Sequence, residues 1–244
     1  MRIVMMIAAL VLSGPALAQQ ADKERQAQEA EIRLHQDWAW LARYQAANAQ
    51  LVAQPKHPRI VFIGDSITQG WIDKVPGFFT GERIDRGIGG QTTPQMLLRF
   101  RQDVIDLHPA IVQIMGGTND IASNTGPMTP EQTQANIMAM CDLARAHGIR
   151  VILASIPPAG NFPWRPGLEV SSKIEAMNAW LKGYAARIGA TYADYWSALH
   201  DGHAQRAAFT YDGVHPNAAG YAAMAPVAEA AIRAALAKPA PRPL

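Results

Sequence analysis

The 244-residue chain contains a single cysteine, Cys141, so no disulfide can form within it. Cys141 falls at helical spacing with Ile137, Met140 and Ala144, which makes it a core residue rather than a reactive thiol. The seven histidines are scattered, without the paired spacing of metal ligands, and neither a metal nor a cofactor is expected. Neither sign of charge dominates: 22 Lys and Arg stand against 20 Asp and Glu, a balance that attracts neither nucleic acid nor an anionic membrane. Internal repeats are missing. The longest apolar run, residues 3–12, falls short of the roughly 20 residues that span a bilayer.

That run follows Met1 and Arg2 and leads through Ser13-Gly14-Pro15 to Ala16-Leu17-Ala18, a small-x-small sequence before Gln19. This is the form of a cleavable secretory signal over residues 1–18. The remaining 226 residues suffice for one α/β domain with a well-buried core. The mature chain is therefore expected in the periplasm or outside the cell, with no membrane span; nothing in the sequence sets an oligomeric state.

Residues 19–58 open with a polar, Gln- and Ala-rich stretch in which Leu34, Trp38, Leu41 and Tyr44 share one helical face. The spacing predicts one amphipathic helix, with a packing role, ended by Pro55, His57 and Pro58. The main domain is assigned to residues 59–237 and starts with Ile60-Val61-Phe62-Ile63, a continuous apolar run suited to a strand buried on both faces. Similar runs recur at Ile111-Val112-Gln113-Ile114-Met115 and Val151-Ile152-Leu153-Ala154, with a weaker candidate at residues 191–195.

Amphipathic helices separate these strands. Thr129-Pro130 with Gln132 forms a capping box, and Gly148 closes that helix. Thr93-Pro94 opens another, with Leu97, Phe100, Val104 and Leu107 on one stripe. Ile174, Met177, Leu181, Tyr184 and Ile188 mark a third, stopped by Gly189, and the last covers about residues 216–236. Alternation of this kind predicts a three-layer α/β/α domain around a parallel sheet, whose functional loops leave the carboxyl ends of the strands. The proline-rich tail, residues 238–244, is expected to be disordered.

The first strand runs into Gly64-Asp65-Ser66-Ile67-Thr68, which places a hydroxyl at the functional edge beside the amides of the next helix. Alone, a serine hydroxyl is a weak nucleophile and needs a base. Asp212-Gly213-Val214-His215-Pro216 supplies one: a tight turn brings the carboxylate to one ring nitrogen and leaves the other to face the serine. Pro216 suits the first turn of the final helix, placing His215 at its mouth. The glycines of Asp85-Arg86-Gly87-Ile88-Gly89-Gly90 allow backbone N–H groups close to a developing oxyanion, though a plain turn has the same composition. Gly116-Gly117-Thr118-Asn119-Asp120 sets a side-chain amide at the same edge, where asparagine also serves as a turn former.

With these four blocks in this order, the sequence resembles the SGNH or GDSL-type hydrolases. The blocks are Gly64-Asp65-Ser66-Ile67, the segment ending in Gly90, Gly117-Thr118-Asn119-Asp120, and Asp212-Gly213-Val214-His215. The resemblance implies a flavodoxin-like sheet, Ser66 as nucleophile, His215 as general base and then acid, and Asp212 orienting His215. It implies an oxyanion held by the backbone N–H groups of Ser66 and Gly90 and by the Asn119 side chain. Ile67 stands where the family often has leucine, and Asp85 where it often has asparagine. A nucleophile elbow of the Gly-x-Ser-x-Gly type is absent, since residue 68 is threonine.

Residues 157–167, Pro-Pro-Ala-Gly-Asn-Phe-Pro-Trp-Arg-Pro-Gly, form an aromatic and rigid loop at the functional edge. Trp164 and Arg165, and Trp71 soon after Ser66, are candidates to contact an alcohol or sugar. The substrate expected is a short-chain ester, acetyl foremost, on a carbohydrate or similar soluble alcohol. The same residues could serve a thioesterase or lysophospholipase, and a non-catalytic carbohydrate-binding module is the alternative of another class.

Overall fold

The computed structural model describes residues 14–54 and 59–243. The chain divides into two units, residues 1–40 and 41–244. Residues 1–13 of the expected signal lie outside the described residues. Residues 14–18 begin α1 (Gly14–Gln36), so the expected cleavage point after Ala18 falls within that helix.

The single helix expected over residues 19–58 is interrupted. After α1 the chain turns through residues 37–40, where Trp40 takes a left-handed φ of 54° that a bulky side chain tolerates poorly and that ends helical propagation. Leu34 and Trp38, placed on the shared apolar face by their spacing, are exposed. The second unit starts with a 3₁₀ turn, Leu41–Tyr44, and continues into α2 (Gln45–Val52). The main body therefore starts earlier than the expected residue 59.

Five strands build its sheet: β1 (Ile60–Gly64), β2 (Arg83–Gly87), β3 (Ile111–Met115), β4 (Arg150–Ala154) and β5 (Thr191–Ala193). All pair in parallel, in the order β2-β1-β3-β4-β5. Alternate residues of each strand enter opposite cores, as the two-residue period of a strand demands. Val61 and Ile63 join Val112, Ile114, Val151 and Leu153 in one core, whereas Ile60 and Phe62 join Ile111, Ile152 and Ala193 in the other. The first core is closed by α4 (Thr93–Asp103), α6 (Pro130–Ala146) and α7 (Ser171–Ile188), and the second by α3 (Ser66–Lys74), α8 (Tyr195–Leu199) and α9 (Ala218–Leu236). A single helical turn, α5 (Thr118–Ile121), follows β3. These are the three layers the alternation predicts.

Local sequence explains the helix starts. Asp65 caps α3 by accepting from Ile67 N–H at 2.9 Å, and Thr129 and Gln132 form the expected box on α6. Two boundaries differ. The stripe from Leu97 to Leu107 leaves α4 at Asp103 and finishes in a 3₁₀ turn, Ile105–Leu107. Pro216 precedes α9, which is capped by Asn217 accepting from Gly220 N–H at 3.0 Å; Pro216 instead bridges to Thr210. The tail, expected to be disordered, takes a defined course at its start. Lys238 Nζ donates to the carbonyls of Gly189 and Ala190, acceptors left open where α7 ends, and its own carbonyl accepts from Arg150 Nε.

Candidate active site

Gly64 pairs with both Gly87 and Met115, so β1, β2 and β3 end level and release their loops at one edge. The crevice between β1 and β3 is the topological switch point of this sheet. Ser66 stands on one side of it and Asn119 on the other.

The turn carrying His215 is built almost entirely from its own residues. Thr210 Oγ1 donates to His215 O at 2.8 Å and accepts from Gly213 N–H at 3.0 Å, and Gly213 takes the positive φ of 86° that the turn requires. Asp212 Oδ1 accepts from the N–H groups of Val214 (3.0 Å) and His215 (2.7 Å), while Oδ2 lies 2.7 Å from His215 Nδ1. A carboxylate can only accept, so Nδ1 carries the proton and Nε2 offers a lone pair. Ser66 Oγ lies 2.9 Å from that Nε2. The structure thus brings residues 149 apart in sequence into one hydrogen-bonded row. Burial pulls the Asp212 pKa upward, but the hydrogen bonds from the backbone N–H and ring of His215 and from Val214 N–H outweigh it and hold it below the ordinary aspartate value.

The loop after β2 lies against the first turn of α3. A Cβ at Gly87 would sit 2.1 Å from Gln69 N and 2.8 Å from Asp65 O, so only glycine permits this approach. Beyond it, Gly89 N–H donates to Gln69 Oε1 at 2.7 Å and Ile88 N–H to Gly64 O at 3.0 Å. Gly90 has a φ of 76°, and among the described residues its N–H has no acceptor. Asn119 is differently placed: Nδ2 donates to Gln91 O at 3.0 Å and, more weakly, to Asp65 Oδ2 at 3.3 Å, while Oδ1 accepts from Asn124 Nδ2 at 2.7 Å. Asn124 therefore fixes which end of the Asn119 amide faces the crevice.

The stretch from residue 62 to 223, which holds all of these groups, matches the model of the GDSL-like Lipase/Acylhydrolase family. The chain belongs to this family. It is 42% identical in sequence to a GDSL-like lipase of Bacteroides thetaiotaomicron VPI-5482, with a TM-score of 0.78 over 82% of this chain and 100% of that one. It is 30% identical over 186 residues to the platelet-activating factor acetylhydrolase IB subunit alpha1 of Pongo abelii, covering 70% of this chain and 73% of the relative. The acetylxylan esterase Axe2 of Geobacillus stearothermophilus shares the fold at 21% identity, with a TM-score of 0.59 over 72% and 94% of the two chains.

Two of the three residues expected at the substrate side of this GDSL-like acylhydrolase do other work. Trp71 is fully buried, stacked on Phe78 at 4.4 Å and on Tyr221 at 5.5 Å, so it has no face for a ligand. The inward side of α3 takes it into the core below the edge. Arg165 is committed to the backbone: Nε donates to Ala122 O and an Nη to Ser123 O, clamping the 157–167 loop to the segment after Asn119. Trp164 does reach the site. It is 38% exposed, stacks on Phe162, donates its indole N–H to Asn124 Oδ1 at 3.2 Å, and lies 6.1 Å from the His215 ring. Tyr211, which the sequence reading passed over, lies nearly parallel to the same ring at 5.7 Å and is 65% exposed. Its position just before Asp212 was the available signal.

Among the described residues no cluster of three or more His, Cys, Asp or Glu is placed to hold a metal ion. Asp120 accepts from Thr93 and Thr133. Burial pushes Asp65 up to about 6 and Asp85 up to about 7, the latter against the charges of Arg86 and Arg99. Folded pKa values above the unfolded one mean that each carboxyl contributes stability complete below the unfolded value of 3.8 and lost as pH rises through about 6 and about 7. Asp212 has the opposite sign, its contribution vanishing as pH falls. In urea titrations, Asp85→Asn, which keeps an acceptor for Gly87 N–H, is expected to show a shallower loss of stability than the parent between about pH 4 and pH 7. Parallel curves would show that Asp85 does not titrate there.

Proposed function

We propose that this protein is an exported esterase that removes short acyl groups, acetyl foremost, from a carbohydrate or similar soluble alcohol. The observation that carries the reading is the row Ser66 Oγ, His215 Nε2, His215 Nδ1, Asp212 Oδ2, with separations of 2.9 and 2.7 Å. In it Ser66 Oγ attacks the ester carbonyl while its proton passes to His215 Nε2. The tetrahedral oxyanion is held by the N–H groups of Ser66 and Gly90 and by Asn119, whose long contact to Asp65 is the one it can exchange. His215 returns the proton to the departing alcohol, and water repeats the sequence on the acyl-serine, releasing the carboxylic acid and restoring Ser66. The acetyl preference draws support from the acetylhydrolase and acetylxylan esterase relatives, and the carbohydrate from the rings of Trp164 and Tyr211 flanking His215. Export rests on the form of residues 1–18.

Hydrolysis of p-nitrophenyl acetate, butyrate and octanoate, with acetate release from acetylated xylan in parallel, tests the reading. Activity falling with chain length is expected; a preference for octanoate would point to a thioesterase or lysophospholipase instead. Trp164→Ala is expected to raise KM for an acetylated xylo-oligosaccharide about fivefold, the loss of a ring contact worth about 1 kcal/mol, and to leave p-nitrophenyl acetate nearly unaffected. Equal effects on both esters would remove Trp164 from alcohol recognition.

A further inference from the structure

Gly87 O accepts a hydrogen bond of 2.5 Å from Tyr44 OH. Tyr44 belongs to the 3₁₀ turn before α2, 43 residues upstream and outside the stretch 62–223 that carries the family pattern. The other polar group of Gly87, its N–H, donates to Asp85 Oδ1 at 2.7 Å, and Gly89 N–H donates to Gln69 Oε1 at 2.7 Å. Side chains therefore hold three successive peptide units, 86–87, 87–88 and 88–89, and among the described residues the N–H of Gly90 is the group left over.

We propose that Tyr44 is a positioning residue for the oxyanion: its hydroxyl, together with the Gln69 and Asp85 side chains, fixes the backbone of residues 87–90 so that Gly90 N–H stays aimed at the carbonyl under attack. This rests on the esterase reading above. Tyr44 is itself firmly mounted. Its ring lies 4.6 Å from the Arg86 guanidinium, and one turn later buried Asn48 accepts from Arg86 Nε at 2.9 Å and donates to Asp103 Oδ1 at 2.6 Å. Burial, with the charge of Asp85, pushes the phenol up to about 12, so it remains a donor through the neutral range. Without the Tyr44 donor the 87–88 peptide is held at its N–H end alone, by Ile88 N–H on Gly64 O, and any rotation about that contact is transmitted to Gly90 two residues on. An oxyanion donor acts only when it already points at the developing charge, so small rotations cost rate rather than substrate affinity.

Tyr44, Gln69 and Asp85 all line one groove of about 460 Å³ bounded by α2, α3 and β2. Gln50 lines the same groove and, among the described residues, makes no hydrogen bond to residues 87–90, so it provides the control. The experiment measures kcat and KM on p-nitrophenyl acetate, the inhibition constant of a trifluoromethyl ketone that forms a tetrahedral adduct, and the thermal midpoint. The variants are Tyr44→Phe, Gln69→Met, Gln50→Ala and Ser66→Ala. Tyr44→Phe and Gln69→Met are each expected to lower kcat about tenfold with KM within about twofold, and to weaken the ketone in proportion. Gln50→Ala is expected to match the parent. Parent-like kcat in Tyr44→Phe, or a kcat loss with unchanged ketone affinity, overturns the proposal, since a merely structural role would move only the thermal midpoint. Should Tyr44→Phe fail to fold, Gln69→Met decides by the same criteria. Full activity in Ser66→Ala would overturn the esterase reading itself, whereas an inactive Ser66→Ala beside a normal Tyr44→Phe would overturn the role of Tyr44 alone.

Discussion

Ser66→Ala is expected to lower kcat on p-nitrophenyl acetate by roughly 10⁴- to 10⁶-fold while shifting the thermal midpoint very little. The rate collapses because no other hydroxyl faces His215 Nε2 in the row, and the remaining N–H donors can stabilise an oxyanion only after some nucleophile has attacked. Stability is spared because the side chain lost is small and, among the described residues, its side-chain hydrogen bond is the 2.9 Å contact to His215. His215→Ala is expected to cost nearly as much, and Ser66→Ala/His215→Ala no more than either alone, since the two act as a unit. Asp212→Asn has a distinct consequence. Its oxygen would stay with the N–H groups of Val214 and His215, leaving an amide N–H against Nδ1, which forces the ring proton onto Nε2 and removes the base. A loss of about 10⁴-fold is expected from that tautomer change. Steady-state kinetics beside a melting curve checks all four variants. A Ser66→Ala protein that turns over at even a tenth of the parent rate would discard Ser66 as nucleophile.

Arg99→Met is expected to be the most destabilising single change, by about 3–5 kcal/mol, lowering the thermal midpoint by roughly 10 °C. The guanidinium is fully buried and every nitrogen is used: Nε on Gln91 Oε1 (2.6 Å), Nη1 on Arg86 O (2.8 Å) and Asp103 Oδ2 (3.0 Å), and Nη2 on Gly64 O (2.9 Å). Burial lowers its pKa and the Asp103 carboxylate opposes that. Methionine fills the space of the stem but strands a carboxylate in the core and takes a donor away from two strand-end carbonyls, Arg86 O and Gly64 O. Arg99→Met/Asp103→Leu removes both charges together and is expected to recover part of the loss, the pair being coupled through the shared site. Urea unfolding of the single and double variants gives the coupling directly. Independent, additive losses would mean that the ion pair contributes little and that the carbonyl contacts dominate.

Arg99 also marks the limit of what the amino-acid pattern discloses. Nothing distinguishes it in sequence from Arg101, two residues on, yet Arg101 is largely exposed. A helical period places a residue on a face, but it does not tell whether that face meets a row of carbonyls or a row of methyl groups. The aromatics repeat the lesson. Trp71, soon after Ser66, and Trp164, in the 157–167 loop, are both candidates by sequence, and only the packing of Phe78 and Tyr221 against α3 separates them. Tyr44, read as one residue on a helical stripe, instead reaches a carbonyl 43 residues away.

Features settled within a few residues were determined by the sequence itself. The apolar runs specify buried parallel strands, and the caps at Asp65 and Thr129 start their helices because acceptor and donor are two to three residues apart. The Asp212-x-x-His215 turn belongs with them, since Gly213 and Thr210 supply its geometry locally. Tertiary structure alone decided the pairings between distant segments: Ser66 with His215, Arg99 with the ends of β1 and β2, Tyr44 with Gly87, and Trp164 and Tyr211 with the imidazole. The reason is that hydrogen bonding and ring contact act over a few ångströms in space. A linear pattern of polar and apolar residues records which face is buried, and leaves unrecorded what that face meets.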